Sequence, residues 1–330
     1  RTCFDRGRLN ACGVSNTVTI SPDSRPGFGD LFDIKERIMS LSRRSVMQSA
    51  VLGSVAALAG VAGSAQAKIK KPLPAQKVSE KRRVLIQSSS RYHTSGYLDF
   101  AGEQYEQLYG SSKHEILFIP YAKVAGTYDG YEKQVQDAFK PFGHKIVSIH
   151  RFKDPQKAVR EASAIAVGGG NTWALVTRMY EAGIIDLIRD RVNGGIPYCG
   201  WSAGGNVACP TLRTTNDMPI AEPPSFNTFG FIPFQTNPHF ISAAGTSGLN
   251  NETREDRLEE FLWYNKDEEV IGLPEGTALF VTGEHDCEVI GPKDAEALYW
   301  FRQAEMGMRL ERIALGTKFD LRKIVPGGKL

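Results

Sequence analysis

The chain has few cysteines for its length, and their spacing argues against sites built from thiols. Five of its 330 residues are cysteine, and three of these, Cys199, Cys209 and Cys287, lie in the body of the chain. An odd number without short paired spacing is not typical of a zinc site or of a disulfide framework. Cys199 lies in an apolar run and is expected to be a buried strand residue.

An excess of charge is also lacking over most of the chain. The net charge of +3 arises within residues 1–67, which hold eight basic and five acidic residues, and the remainder holds 32 of each sign. The body of the chain therefore has no overall electrostatic signature of binding to nucleic acid or to anionic lipid, and we expect neither as a partner. A hydrophobic content of 41% with 23% charged residues is ordinary for a globular domain.

The chain contains no run of about 20 strongly apolar residues, the length that a membrane span needs. Its longest apolar segment, residues 46–63, is rich in glycine, alanine and serine. The pair Arg43-Arg44 precedes this segment, and Ser64-Ala65-Gln66-Ala67 follows it as an A-x-A cleavage pattern. This is the order of a bacterial secretory signal, and the adjacent arginines resemble the twin-arginine type.

These features predict the organisation of the chain. Residues 1–38 are expected to be an upstream extension before the true start at Met39, 39–67 a twin-arginine-type signal peptide, 68–81 a linker, and 82–330 a single catalytic domain. We expect the Tat export machinery to be a partner during targeting, with cleavage near Ala67. The mature protein would then be periplasmic or otherwise exported, without stable membrane association. The alternative is an uncleaved membrane anchor.

Short apolar runs alternate with segments of helical spacing from residue 84 onward. This alternation predicts an α/β fold with a mostly parallel sheet and helices on both faces, in which sites lie at the carboxyl ends of strands. Further short strands after residue 220 are expected to form an antiparallel or mixed edge of the same sheet. The predicted strands are 84–86, 116–120, 146–149, 164–167, 196–200, 270–272, 278–281, 287–290 and 297–301, and the longest predicted helices are 98–109 and 172–188.

A candidate nucleophile follows the fifth predicted strand. Gly200-Trp201-Ser202-Ala203-Gly204 fits G-x-S-x-G, in which small residues allow a sharp strand-to-helix turn that exposes the serine hydroxyl. The pentapeptide is weak by itself, but the strand before it and the helix-forming residues after it favour Ser202 as a nucleophile. The alternative is an ordinary serine in a tight glycine turn.

A nucleophilic serine needs a base and a carboxylate that orients it. His239, in Asn237-Pro238-His239-Phe240, follows an apolar strand-like run at 229–234, and Asn-Pro predicts a turn that leaves the imidazole at a strand end. Asp217 gives the chain order Ser, Asp, His of the α/β-hydrolases. Glu275, at another predicted strand-end turn, is a rival for the third position.

A glycine-rich turn, Gly168-Gly169-Gly170, follows the fourth predicted strand and opens a helix. Such a turn could hold phosphate at a helix N-terminus, but it fits neither the dinucleotide fingerprint nor the P-loop. The other use of its backbone N–H groups is to hold an oxyanion.

Together these segments resemble peptidase E, the aspartyl dipeptidase family of serine peptidases, over about residues 84–301. The stretches that carry the resemblance are 168–172, 200–211, 213–220, 237–240, Glu252-Thr253-Arg254 and 272–276. The resemblance implies hydrolysis of dipeptides with an N-terminal aspartate, without a metal or other cofactor, in a fold similar to class I glutamine amidotransferases with serine in place of their cysteine.

The resemblance also implies residue roles. Ser202 would be the nucleophile, sitting on a strand-to-helix elbow, His239 the general base, and Asp217 or Glu275 the third member. Backbone N–H groups of Gly169, Gly170 and Ala203 would form the oxyanion hole. Arg254 would bind the side-chain carboxylate of the substrate, a task that suits the bidentate guanidinium fork.

Two alternatives to the dipeptidase remain. Cyanophycinase is a related exported-type hydrolase of β-aspartyl linkages, and the export signal favours it, since members of the peptidase E family are typically cytoplasmic. A non-catalytic periplasmic binding protein that kept the fold is the second alternative. The extended match at residues 201–220 favours the dipeptidase.

Overall fold

The parallel strands predicted from the apolar runs are present in the structure, a computed structural model that describes residues 77–243, 252–304 and 307–330. The predicted upstream extension at 1–38, the predicted signal peptide at 39–67 and the first part of the predicted linker, 68–76, lie outside the described residues. Within the described ranges, no helix combines the length and the apolar character that crossing a membrane requires.

Eight strands form the larger of two sheets. In the order β12-β9-β8-β1-β5-β4-β2-β3, the five strands from β1 to β3 are parallel, and β8, β9 and β12 extend the sheet in antiparallel pairing. The strands of both sheets, in chain order, are β1 (Arg83–Gln87), β2 (Glu115–Ile119), β3 (Lys145–Ser148), β4 (Ile165–Val167), β5 (Tyr198–Trp201), β6 (Gln235–Phe240), β7 (Val270–Pro274), β8 (Ala278–Thr282), β9 (Asp286–Ile290), β10 (Leu298–Ala304), β11 (Gly307–Ile313) and β12 (Lys318–Asp320).

Helices cover both faces of this sheet, so the predicted α/β class is confirmed. Val84 and Ile86 of β1 pack in one apolar cluster, and Leu85 between them packs in another on the opposite face. Helices α4 and α5 contribute to the first cluster, and α1 and α2 contribute to the second. The helices are α1 (Gly102–Tyr109), α2 (Tyr128–Phe139), α3 (Pro155–Glu161), α4 (Thr172–Glu181), α5 (Ile185–Asn193), α6 (Ala203–Asn206) and α7 (Arg254–Tyr264).

A second sheet contains four strands in the order β11-β10-β7-β6. The expectation that all strands after residue 220 form one edge of the main sheet is therefore wrong for segments 270–272 and 297–301, which lie in β7 and β10. Segments 278–281 and 287–290 do extend the main sheet as β8 and β9. The apolar content of a short strand indicates that it is buried, but it does not specify which neighbour it pairs with.

Two further segments differ from the sequence prediction. The helix predicted over 172–188 is divided into α4 and α5 by a turn at Gly183, whose φ of 65° lies in the left-handed region. The run 229–234 is not a strand, although its aromatic side chains are buried in the core. The strand starts after it, at Gln235, and continues through the Asn-Pro pair that was expected to form a turn.

Candidate active site

Ser202 occupies a sharp turn between β5 and α6. Its φ of 54° and ψ of −114° are unusual for a residue with a Cβ, and its amide donates to the carbonyl of Gln87 at 3.0 Å. Gly204 packs so closely on β4 that a Cβ there would collide with the carbonyl of Val167. The G-x-S-x-G pattern is therefore explained by close packing between the elbow and two neighbouring strands.

His239 lies between Ser202 and Glu275. Its Nε2 is 2.9 Å from Ser202 Oγ, and its Nδ1 is 2.9 Å from Glu275 Oε1. These partners assign the tautomer, in which Nδ1–H donates to the carboxylate and Nε2 accepts from the hydroxyl. The three side chains form a relay that is open to solvent, since 37% of the His239 side chain and 57% of the Glu275 side chain are exposed.

Asp217, placed in the relay by chain order, does not contact His239. Its Oδ2 accepts hydrogen bonds from the amide and hydroxyl of Thr172, at 2.8 and 2.6 Å, and from the hydroxyl of Thr215 at 3.1 Å. The carboxylate thus lies at the first turn of α4, where the free N–H groups of a helix favour an anion. The prediction of Asp217 as the orienting carboxylate is wrong in this geometry, and Glu275 occupies that position.

The glycine turn after β4 lies directly against the nucleophile. A Cβ at Gly169 would lie 2.9 Å from the Cβ of Ser202, and Gly170 has a φ of 137° and packs on the carbonyl of Ala122. Ala203 is the first residue of α6, where helix amides lack partners within the helix. The structure therefore brings Gly169 beside Ser202. Gly170 follows Gly169 in the chain and Ala203 follows Ser202, so the backbone amides of Gly169, Gly170 and Ala203 are candidate oxyanion donors.

A hydrogen-bond network of two tyrosines and Trp201 supports the glycine turn. The hydroxyl of Tyr131 donates to the carbonyl of Gly169 at 3.1 Å, and the indole N–H of Trp201 donates to the hydroxyls of Tyr131 and Tyr97 at 3.1 and 3.0 Å. Burial raises the pKa of both tyrosines, which keeps them protonated and able to donate. This network links the turn to the residue that precedes the nucleophile.

Arg254 lies at the start of α7, beside a cavity of about 240 Å³. Its Nη1 is buried and has no hydrogen-bond partner among the described residues. Burial and the neighbouring Arg257 lower the pKa of Arg254, whereas Asp217 and Glu275 act to raise it. The guanidinium therefore has a buried donor left for a ligand.

The cavity beside Arg254 is mostly polar. Asn237, three residues before Phe240 in β6, is buried within its wall, and Asp217 contributes a carboxylate. A small cavity with polar and cationic lining suits a small anionic group better than an apolar side chain. Its lining comprises Arg213, Thr214, Thr215, Asn216, Asp217, Asn237, Arg254, Arg257, Leu258 and Phe261.

A metal ion has one candidate location in the described ranges, and it is not at the relay. Asp129, Glu132 and His150 lie close enough together to share an ion, but Arg151 already pairs with both carboxylates. This cluster lies around α2 and the end of β3, three strands across the sheet from β5.

Sequence reasoning missed two serines that form hydrogen bonds with the backbone at His239 and next to Glu275. The hydroxyl of Ser88 accepts from the amide of His239 at 3.0 Å, and the hydroxyl of Ser89 accepts from the amide of Gly276, next to Glu275, at 3.2 Å. Both follow β1 directly. A run of three serines at the carboxyl end of a buried parallel strand was a usable signal, because sites in such sheets lie at that edge.

Comparisons with known proteins identify the family of the chain. The model of the family described as "Peptidase family S51" matches residues 84–289. A protein of Haemophilus influenzae named peptidase E is 47% identical over 201 residues, which are 61% of this chain and 92% of that protein. A Drosophila melanogaster protein named probable alpha-aspartyl dipeptidase is 44% identical over 217 residues, 65% of this chain and 89% of that protein.

A solved structure shares the fold at low sequence identity. The crystal structure of a peptidase from an acI-B1 Actinobacterium is similar with a TM-score of 0.51 and 17% identity, over 74% of this chain and 98% of that chain. At this identity the likeness concerns the fold alone.

Proposed function

The chain belongs to peptidase family S51, and from this membership and the site geometry we propose that it is a serine dipeptidase that cleaves dipeptides with an N-terminal aspartate. The observation that carries the proposal is the relay, in which His239 lies within hydrogen-bond distance of both Ser202 Oγ and Glu275. The names of the two curated relatives point to the same activity.

Acylation uses the three side chains of the relay. Ser202 Oγ attacks the scissile carbonyl carbon while His239 Nε2 takes the hydroxyl proton. Glu275 holds the Nδ1–H and stabilises the imidazolium that forms. The carbonyl oxygen becomes negative in the tetrahedral intermediate, where the backbone N–H groups of Gly169, Gly170 and Ala203 stabilise it.

Collapse of this intermediate breaks the peptide bond. His239 then gives its proton to the leaving amine, which departs as the free second amino acid. The aspartyl group remains as an ester on Ser202. A water molecule, deprotonated by the same imidazole, hydrolyses the ester and restores the serine hydroxyl.

Arg254 supplies the preference for aspartate. Its Nη1 is a buried donor without a hydrogen-bond partner among the described residues. A substrate carboxylate satisfies this donor, whereas the neutral amide of asparagine gives a weaker hydrogen bond. Because the group is partly buried, the difference between the two substrates is large.

Hydrolysis of Asp-Leu by the purified protein tests the proposal, beside Asn-Leu and a Ser202→Ala variant. We expect turnover of Asp-Leu that exceeds turnover of Asn-Leu at least 100-fold and that is lost in the variant. A folded protein that cleaves a β-aspartyl polymer but not Asp-Leu would overturn the dipeptidase in favour of the cyanophycinase-like alternative. Binding of Asp-Leu without turnover would favour a binding protein.

We also propose that the chain is exported, which rests on the twin-arginine-type pattern at 39–67 alone. The test is N-terminal sequencing of the protein from periplasmic and cytoplasmic fractions of a host with twin-arginine export. Export predicts a mature terminus near Lys68 in the periplasm, and retention of the precursor when Arg43 and Arg44 are both changed to Lys. An unprocessed protein found only in the cytoplasm would refute the proposal.

A further inference from the structure

The hydroxyl of Ser88 bridges β6, which carries His239, and β7, which ends directly before Glu275. Ser88 is fully buried, and its Oγ donates to the carbonyl of Leu273 in β7 at 2.7 Å while it accepts from the amide of His239 in β6 at 3.0 Å. The pairing of β6 with β7 shifts register between Pro238 and Phe240, at His239 itself. The Ser88 hydroxyl therefore provides a hydrogen bond at the point where the sheet ladder is interrupted.

The hydroxyl of Ser89 fixes the turn that carries the carboxylate. Its Oγ donates to the carbonyl of Arg91 at 2.7 Å and accepts from the amide of Gly276 at 3.2 Å. Gly276 directly follows Glu275 and has a φ of 78°. The conformation of this turn sets the direction in which the Glu275 side chain leaves the backbone.

The residue before these two serines contacts the nucleophile. The carbonyl of Gln87, the last residue of β1, accepts from the amide of Ser202 at 3.0 Å. Three consecutive residues thus form hydrogen bonds to the backbone at or next to each member of the relay.

We propose that Ser88 and Ser89 are positioning residues, which hold His239 and Glu275 in register with Ser202 from one strand end. This inference rests on the relay of the proposed function and adds residues to it. Neither hydroxyl contacts the relay side chains, so both act through the backbone. Since Ser202 is held by the same strand, a displacement of β1 moves all three members together and preserves their distances.

Loss of the Ser88 hydroxyl leaves the His239 amide and the Leu273 carbonyl without their partner. The imidazole is then free to move away from Ser202 Oγ, and a misplacement of 1 Å costs roughly 100-fold in rate. We expect Ser88→Ala to lower the reactivity of Ser202 by about 10- to 100-fold. Ser89→Ala loosens the turn that carries Glu275. It thereby weakens the interaction of the Glu275 carboxylate with the protonated imidazole of His239.

The rate at which diisopropyl fluorophosphate labels Ser202 is the measurement, because it does not depend on which peptide is the substrate. The rate is measured from pH 5 to pH 9 for the full chain and for Ser88→Ala and Ser89→Ala. Ser148→Ala is the matched control: Ser148 is also fully buried and also bonds a histidine, His150, at the end of β3. The final extent of labelling gives the folded fraction separately from the rate.

The positioning role predicts complete but at least tenfold slower labelling of Ser88→Ala, and a pH midpoint that moves to lower pH in Ser89→Ala. The control should label within twofold of the unmodified chain, with the same midpoint. Rates within twofold and unchanged midpoints in both test variants would overturn the inference. If Ser88→Ala does not fold, the midpoint of Ser89→Ala decides.

Failure of the proposed function gives a different result. An unmodified, folded chain that is not labelled at Ser202 would refute the serine mechanism itself, and the positioning inference with it. Labelling of the unmodified chain together with normal labelling of both variants refutes only the positioning role.

Discussion

Replacing Glu275 by glutamine tests the assignment of the third relay member. The amide has the same shape, but it carries no charge to stabilise the imidazolium, and its NH2 group can force the wrong tautomer on His239. Such a change costs on the order of 10⁴ in kcat where the carboxylate is buried. The Glu275 side chain is 57% exposed, so solvent screens its charge, and we expect a loss of roughly 10²- to 10³-fold, or about 2.7–4 kcal/mol.

Asp217→Asn is expected to behave differently. The asparagine oxygen can still accept from Thr172, so the variant mainly loses a negative charge at the first turn of α4. That charge is worth about 0.3–1 kcal/mol. We therefore expect kcat for Asp-Leu to stay within about tenfold of the unmodified chain. Because Asp217 also lines the cavity beside Arg254, a change in KM is compatible with this expectation.

The assay is kcat and KM for Asp-Leu from the release of free leucine, with folding checked by thermal denaturation. Glu284→Gln is the matched control, since this glutamate is 58% exposed and its carboxylate lies 3.6 Å from the ring of His285, outside the relay. It should retain full activity. A Glu275→Gln variant with kcat within threefold of the unmodified chain would refute the relay, and equal large losses in the Glu275 and Asp217 variants would contradict the separation of their roles.

Three further predictions concern specificity, the glycine turn and the buried thiols. Arg254→Lys keeps the charge but loses the fork, so kcat/KM for Asp-Leu should fall by about 10- to 100-fold with little change for Asn-Leu. Arg309→Lys, at an exposed residue outside the cavity, should be nearly silent, and equal losses on both substrates in Arg254→Lys would contradict the role. Gly169→Ala adds a Cβ 2.9 Å from that of the nucleophile and should abolish fluorophosphate labelling, while Gly102→Ala, where a Cβ meets its first neighbour at 3.6 Å, should not. Burial raises the pKa of the Cys209 thiol to about 12, so peptide mapping should find it unmodified by iodoacetamide at pH 8 until the protein unfolds, and rapid modification of the native protein would contradict its burial.

The sequence identified the parallel half of the fold and the family, and both are confirmed. Buried parallel strands appear as continuous apolar runs because both of their faces are covered, and short runs of this kind, alternating with segments of helical spacing, were sufficient to predict β1 to β5. Of the later strands, β7 to β10 were predicted as strands but were assigned to one sheet, and β6, β11 and β12 were not predicted. Their pairing depends on contacts between distant segments, which local patterns do not contain.

The site was predictable to a similar degree. Ser202 and His239 were identified by the motifs around them, and the structure brings their side chains together. The acid could not be chosen from the sequence, because Asp217 and Glu275 both lie at turns near strand or helix ends. Chain order favoured Asp217, but order along the chain does not determine distance in space. Thr172 donates hydrogen bonds from both its amide and its hydroxyl to Asp217, and the sequence does not reveal this contact.

Backbone strain gives a physical reason why the end of β1 matters so much to this site. Among the described residues other than glycine, φ is positive at four positions, His93, Leu98, Ser202 and His239. Such conformations cost about 1–3 kcal/mol each and persist only where the surrounding structure holds them. The amides of Leu98, Ser202 and His239 donate to acceptors on residues 87–90. The segment that offsets this strain is therefore the one that aligns the nucleophile and the base, and weakening it should release both residues toward relaxed conformations in which Ser202 Oγ and His239 Nε2 no longer meet.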